Sequence, residues 1–147
     1  MNLELYPFFV SDDYKRYFFY SHGPMGRIQK RVDYTKINLD PVMYNLAFGD
    51  CDPVTGELSD KVRSNNKDWL IVLATVVNTI TQFCDFFGNH LILVTGSSPS
   101  RNRLYQINIA KYLQDISPNY EVYGFVGSNT VPFEENVNYN GFLVKRK

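Results

Sequence analysis

The feature that most constrains this fold is an amphipathic stripe in the second half of the chain. Its apolar side chains recur at steps of four and three residues, which is the repeat of an α-helix. They are Trp69, Leu73, Val76, Ile80, Phe83 and Phe87. Gly88 follows and is typical of a helix end. Many residues between them are β-branched and form helices poorly, so burial in the tertiary structure has to stabilise this helix.

Strands are predicted on both sides of this helix, where apolar residues cluster or alternate. They cover residues 3–10, 14–20, 27–34, 42–48, 90–95, 120–126 and 141–145. A second helix is predicted over residues 101–116, with Ser98 as its N-cap and Pro99 in its first turn. This order predicts an α+β fold, a mainly antiparallel β-sheet from the N-terminal half with two α-helices packed on it. The length of 147 residues fits one domain over 1–147.

The charge balance limits the classes of partner. Acidic and basic residues number 15 each, which disfavours a broad electrostatic contact with nucleic acid but leaves room for a small basic patch. The first residues lack the pattern of a secretory signal, and the apolar stretches look far shorter than the roughly 20 residues of a membrane span. Cys51 and Cys84 fit no metal spacing. We therefore expect a cytoplasmic protein without membrane contact and without a metal site, whereas the sequence leaves the cofactor unknown.

The turn before the second helix is the first segment that could carry chemistry. It holds Ser97 and Ser98, and the helix begins with Arg101, Arg103 and Tyr105. Backbone N–H groups at a helix start bind anions, and hydroxyl and guanidinium groups strengthen such a site. The segment therefore predicts a site for a small anionic ligand. The alternative is that the serines only cap the helix and the arginines pair with carboxylates.

Charged residues elsewhere suggest a second group. Lys30 lies between Ile28 and Val32 on the apolar face of its strand, so it either extends to the sheet edge or pairs with a buried acid. Asp50 and Asp68 are the candidate partners. We expect these three residues to meet the residues of the second helix start in one ligand site. The structural alternative is an internal salt-bridge network with no chemistry attached.

Several stretches together resemble one known family. They are residues 26–30, 45–50, 64–68, 72–76 and 96–105, and the most specific are Asn-Leu-Ala-Phe-Gly-Asp and Arg-x-Arg-Leu-Tyr. The family consists of bacterial single-domain proteins and is catalogued only as a domain of unknown function. The resemblance covers residues 17–112 and implies no activity. The family often has Gly where this chain has Lys67, and Thr where it has Asn102.

A second resemblance concerns the acetyltransferases of the GNAT superfamily. A helix, a strand and then Ser-Arg-x-Arg-Leu-Tyr opening another helix is similar to the last part of those enzymes. The resemblance implies that Tyr105 matches a tyrosine near the thioester. The pyrophosphate loop of the superfamily, Arg/Gln-x-x-Gly-x-Gly/Ala, is missing from this sequence.

Three functions follow as hypotheses. The preferred one is a non-catalytic module of a bacterial cytoplasmic system that binds a ligand, a protein partner or a second copy of itself. The second is an enzyme or phosphate-ligand binder that uses the helix start at residues 96–105. The third, disfavoured by the neutral charge, is a nucleic-acid binder. It would use Arg27, Lys30, Arg31 and the basic tail at residues 145–147, with Tyr17 and Tyr34 as surface stacking residues.

Overall fold

The computed structural model describes residues 4–59, 66–96 and 98–147. These described residues form nine strands and three helices. The strands are β1 (Phe8–Val10), β2 (Arg16–Gly23), β3 (Gly26–Leu39), β4 (Val42–Cys51), β5 (Leu58–Ser59), β6 (Leu91–Val94), β7 (Tyr120–Val126), β8 (Asn129–Pro132) and β9 (Gly141–Arg146). The helices are α1 (Trp69–Phe87), α2 (Pro99–Lys111) and α3 (Leu113–Ile116).

One sheet contains all of these strands, in the order β1-β2-β3-β4-β6-β9-β7-β8, with β5 paired to β4. β4 and β6 are parallel, over Met43–Leu46 and Leu91–Val94. The pairs β1–β2, β2–β3, β4–β5, β6–β9, β7–β8 and β7–β9 are antiparallel. The predicted α+β class with a mainly antiparallel sheet is therefore confirmed. The C-terminal half adds four strands to those of the N-terminal half.

The element boundaries differ from the sequence predictions in several places. β1 is shorter than predicted, β3 runs on to Leu39, and β5 and β8 were not predicted. The second helix is divided, because Tyr112 has φ −113° and ψ 18°, which ends α2 before α3 begins. The predicted cap is confirmed: the Ser98 side chain accepts from the backbone N–H of Arg101, and Pro99 opens the helix.

The chain divides into two compact units. Unit 1 consists of residues 1–34 and 47–86, and unit 2 of residues 35–46 and 87–147. Unit 1 holds β1, β2, most of α1 and β5, whereas unit 2 holds α2, α3 and β6 to β9. The single domain over residues 1–147 stays a prediction.

In unit 1, α1 packs on one face of β2 and β3. Tyr34 stacks on Phe83 with ring centroids 4.1 Å apart. The Tyr34 hydroxyl lies 2.9 Å from Thr79 Oγ1. Since that hydroxyl of Thr79 already donates to the Val76 carbonyl, Tyr34 is the donor. Burial of this face is what stabilises a helix whose own residues favour extended structure.

The buried face of α1 is rotated from the predicted stripe. Leu73 and Val76 are only half-buried, while Thr75 and Thr79 are fully buried. The threonines tolerate burial because their hydroxyls donate to backbone carbonyls one turn earlier, Thr75 to that of Ile71. A search for apolar residues at helical spacing does not identify buried threonines whose hydroxyls are hydrogen-bonded.

The expectation about membrane spans is also corrected. The helix α1 has 19 residues and is long and apolar enough to cross a membrane by length and composition. Almost half of it is buried inside the protein. Phe83 and Cys84 lie among its buried residues, as in the core helix of a globular fold.

Unit 2 has its own core on β6, β7 and β9. Ile92 and Phe142 are fully buried there, and Tyr139 packs edge-on against Phe142. Gly124 of β7 lies under the Tyr139 ring, where a Cβ atom would come within 2.3 Å of a ring carbon. Only glycine leaves room for this tyrosine.

Tyr17 generates a stability prediction for unit 1. Its side chain is fully buried, and its hydroxyl has no hydrogen-bond partner among the residues that the structure describes. Burial, assisted by Cys84, raises the pKa of Tyr17 to about 12. We expect Tyr17→Phe to change the free energy of unfolding by less than about 1 kcal/mol at pH 7, because no hydrogen bond is lost.

The raised pKa also predicts an alkaline effect. Below pH 10 the phenol is neutral in both the folded and the unfolded chain. Between pH 10 and the folded-state pKa of about 12, the unfolded chain releases the proton first, so stability falls by up to about 1.4 kcal/mol per pH unit. Urea unfolding of Tyr17→Phe should show a smaller alkaline loss than wild type. Tyr34→Phe is the control, costing about 1 kcal/mol at pH 7; equal alkaline losses in wild type and Tyr17→Phe would contradict the argument.

Candidate functional site

Lys30 and Asp50 form a nearly buried ion pair in unit 1. The Lys30 Nζ lies 2.5 Å from Asp50 Oδ1, and the two side chains are 11% and 13% exposed. Strand alternation places Lys30 on the helix-covered face with Val32 and Tyr34. The hypothesis that Lys30 pairs with a buried acid is confirmed, and Asp50 is that acid.

Asp68 belongs to a different group of polar residues in unit 1. It directly precedes α1, and its Oδ2 accepts hydrogen bonds from the Tyr6 hydroxyl at 2.7 Å and the Ser21 hydroxyl at 2.5 Å. Ser21 is fully buried. The carboxylate therefore ties the N-terminal segment and β2 to the start of α1, where a negative charge suits the helix dipole.

Asn66 links the β2–β3 hairpin to the segment before α1 through hydrogen bonds of its side chain. Its Oδ1 accepts from the Met25 N–H at 2.7 Å, and its Nδ2 donates to the Gly26 carbonyl and the Ser21 hydroxyl. The approach is so close that a Cβ on Gly23 would lie 2.3 Å from the Asn66 carbonyl oxygen. One side chain thus satisfies three polar groups of the hairpin, which indicates a structural role.

Lys67 follows with φ 58°, in the left-handed region that favours glycine. Glycine would adopt this backbone conformation without strain. The neighbouring Ser64 and Asn65, which belong to the stretch 64–68 that carries the family resemblance, lie outside the described residues.

Asp52, the second acid after β4, organises a turn. Its Oδ1 accepts from the backbone N–H groups of Val54 and Thr55 at 2.8 and 2.9 Å. These hydrogen bonds, that of Thr55 foremost, hold the pKa of Asp52 below its usual value. Asp50 and Asp52 therefore have separate partners. Within residues 4–59, 66–96 and 98–147, no three His, Cys, Asp or Glu side chains are placed to hold a metal ion.

In unit 2, Asn102 holds the turn that leads into α2. Its Oδ1 accepts from the Gly96 N–H at 2.7 Å, and its Nδ2 donates to the Asn140 carbonyl. A Cβ on Gly96 would lie 2.6 Å from the Arg101 Cβ, so the turn and the helix start approach closely. The start of α2 is therefore held in a defined position.

Helix geometry separates the predicted residues of α2. Arg101 and Tyr105 are four residues apart and share one face of the helix. Arg103 is rotated from Arg101 by about 200° and donates to the Gln106 Oε1 at 3.2 Å instead. Gln106 is buried, and its Nε2 has no acceptor among the described residues. Ser97 lies outside the described residues.

The predicted site residues thus fall into three groups. Lys30 pairs with Asp50, and Asp68 binds hydroxyl groups, all in unit 1. Ser98, Arg101, Arg103 and Tyr105 lie in unit 2. That all of them meet in one ligand site stays a prediction.

Sequence reasoning missed some residues and misplaced others. Two consecutive asparagines before α1 exceed what one helix cap needs, and this could have indicated that Asn66 bonds to another element. Nothing in the sequence pointed to Tyr6 or Ser21. Tyr17 and Tyr34, taken as surface stacking residues, are 0% and 3% exposed. That assignment is wrong, because strand alternation turns both rings toward α1.

The Lys30–Asp50 pair generates a test between structure and function. Lys30→Met or Asp50→Leu alone leaves an uncompensated buried charge and should cost about 3–5 kcal/mol. If the pair is structural, the double variant should recover most of that loss in urea unfolding. The exposed pair of Arg16 with Asp33 is the control, and Arg16→Met should cost about 1 kcal/mol or less. Additive losses in the double variant would contradict this interpretation.

Comparison with known proteins supplies a family. No curated protein and no solved structure matches the chain. One family model matches residues 2–147, which extends beyond the region of the resemblance found in the sequence. Its description states that the function is unknown. The chain belongs to the family of unknown function DUF6934.

Proposed function

We propose that this protein is a non-catalytic binding module that takes a small anionic ligand of the phosphate class at the start of α2. The ligand would lie along the line of Ser98, Arg101 and Tyr105. Arg103, on another side of the helix, contributes through its charge rather than by direct contact.

The charge of α2 carries this proposal. Its thirteen residues include Arg101, Arg103 and Lys111 but no Asp or Glu, in a chain whose acidic and basic residues balance. Two of these cations lie within the first two turns, at the positive end of the helix dipole. The potential there favours an anion.

At the start of α2, side chains rather than backbone N–H groups are available to bind an anion. Pro99 has no N–H group, and the Arg101 N–H is occupied by the Ser98 hydroxyl. An anion would therefore be held chiefly by the Arg101 guanidinium and the Tyr105 hydroxyl. Because Asn102 fixes the turn to Gly96 and Asn140, little ordering is needed when a ligand binds.

Thermal unfolding with inorganic pyrophosphate, ATP and coenzyme A as probes tests the proposal. A probe present at about ten times its Kd should stabilise the fold by about 1.4 kcal/mol, which is about 4 °C in Tm. Arg101→Gln should abolish that shift and leave the ligand-free Tm within about 2 °C of wild type.

Lys111→Gln is the matched control, since it removes the same charge from the far end of the same helix. It should keep the shift. A ligand-free Tm that falls strongly in Arg101→Gln, with no shift from any probe in wild type, would show that Arg101 is structural. A shift that survives Arg101→Gln would place the ligand elsewhere.

An acyltransferase of GNAT-like layout is the second candidate. It is favoured by the parallel pairing of β4 with β6, followed by α2 with Tyr105 on it. The Asp68 carboxylate at the start of α1 disfavours the acyltransferase hypothesis. Its negative charge repels any anionic group of a ligand at that helix start. With an amine supplied as acceptor of the acetyl group, thiol release from acetyl-coenzyme A that Tyr105→Phe lowers more than about tenfold would favour the enzyme. No release from wild type would favour the binding module.

A further inference from the structure

The face of β1, β2 and β3 that points away from α1 carries aromatic and arginine side chains. Strand alternation selects them, because every second residue of β2 and β3 points to this side. We call it the open face, and it consists of Phe9, Arg16, Phe18, Tyr20, Arg27, Gln29, Arg31 and Asp33. The strand register places Phe9 beside Phe18, and Phe18 beside Arg31.

The aromatic side chains of the open face form a continuous group. Phe9 stacks on Phe18 with ring centroids 5.0 Å apart and an interplanar angle of 19°. Phe18 then meets Tyr20 edge-on at 6.2 Å. Phe9 is 54% exposed, so a large part of its ring surface is open to another planar group.

The charge of the open face is positive. Arg16 and Arg31 both approach Asp33, at 3.0 and 3.3 Å, so one carboxylate serves two guanidinium groups. The Arg27 guanidinium lies 3.7 Å from the centre of the Tyr20 ring and has no carboxylate partner among the described residues. Among the open-face residues of β2 and β3, three arginines against one aspartate leave a surplus of two positive charges, and Arg31 also donates to the Gly56 carbonyl at 2.7 Å.

We propose that the open face binds single-stranded nucleic acid. Such a strand carries groups complementary to both kinds of side chain on this face. Its planar bases can extend the Phe9–Phe18 stack, and its phosphates can pair with Arg16 and Arg27. An acidic peptide would supply the negative charge but no planar rings to stack on Phe9. The proposal is independent of the ligand site at α2.

The small charge surplus limits the electrostatic part of binding. If Arg16 and Arg27 each neutralise one phosphate, the logarithm of the association constant should fall with the logarithm of salt concentration with a slope of about −1.4. This shallow dependence agrees with a chain of zero net charge, because most of the affinity then comes from stacking.

Fluorescence anisotropy of a labelled single-stranded oligouridylate, titrated with the intact protein at low and moderate salt, tests this proposal. Phe9→Ala should weaken binding about tenfold, within the range measured for loss of a base-stacking ring. Phe9→Tyr should retain binding. Arg27→Ala should weaken binding and reduce the salt slope by about 0.7, since it removes one phosphate contact.

Two variants elsewhere in the chain are matched controls. Phe86 is 57% exposed and stacks on Tyr14. Lys36 is exposed and lies over the Tyr44 ring. Phe86→Ala and Lys36→Ala therefore remove a similar ring and a similar cation, and both should leave binding unchanged.

Several outcomes would overturn the proposal. One is the absence of any anisotropy change at low salt with protein in large excess. Another is equal weakening by Phe86→Ala or Lys36→Ala, which would place the strand elsewhere or make the contact unspecific. Tighter binding of an oligoglutamate peptide than of the oligouridylate would assign the open face to an acidic protein segment instead.

Discussion

The packing of α1 on β2 and β3 is the interaction on which unit 1 depends. The ring of Tyr34 stacks on Phe83, and the Tyr34 hydroxyl donates to Thr79, so one side chain contributes both apolar burial and a directed hydrogen bond. Because α1 is rich in β-branched residues, its helical state requires this burial. The rotation of its buried face toward Thr75 and Thr79 follows from the partners that those hydroxyls find.

Among the described residues of unit 1, the buried polar side-chain atoms are hydrogen-bonded except for the Tyr17 hydroxyl and the Arg31 Nε. Lys30 has Asp50, Ser21 has Asp68, and the Asn66 amide serves the β2–β3 hairpin. Such pairing restricts which strands and loops fit together, because a shifted register would bury unsatisfied polar groups. These residues therefore explain the specificity of the fold before any ligand is invoked.

The two surfaces proposed to bind partners differ in their chemistry. The start of α2 is a concentrated positive charge on a helix whose entry is held by Asn102. The open face of unit 1 combines a smaller charge surplus with exposed ring surface. The first suits a compact anion, whereas the second suits an extended partner that carries both phosphates and planar rings.

The α+β class, an apolar helix that ends before Gly88, and the Ser98 cap follow from the sequence alone, whereas for Lys30 the sequence left two alternatives, pairing with a buried acid or extension to the sheet edge. These features depend on local periodicity, on capping chemistry, and on the rule that a buried cation requires a partner. The three-dimensional packing was needed to show that Lys30 pairs with a buried acid, that this acid is Asp50 rather than Asp68, and that Tyr17 and Tyr34 are core residues. These outcomes depend on strand alternation and register, where a shift of one residue reverses the face on which a side chain lies.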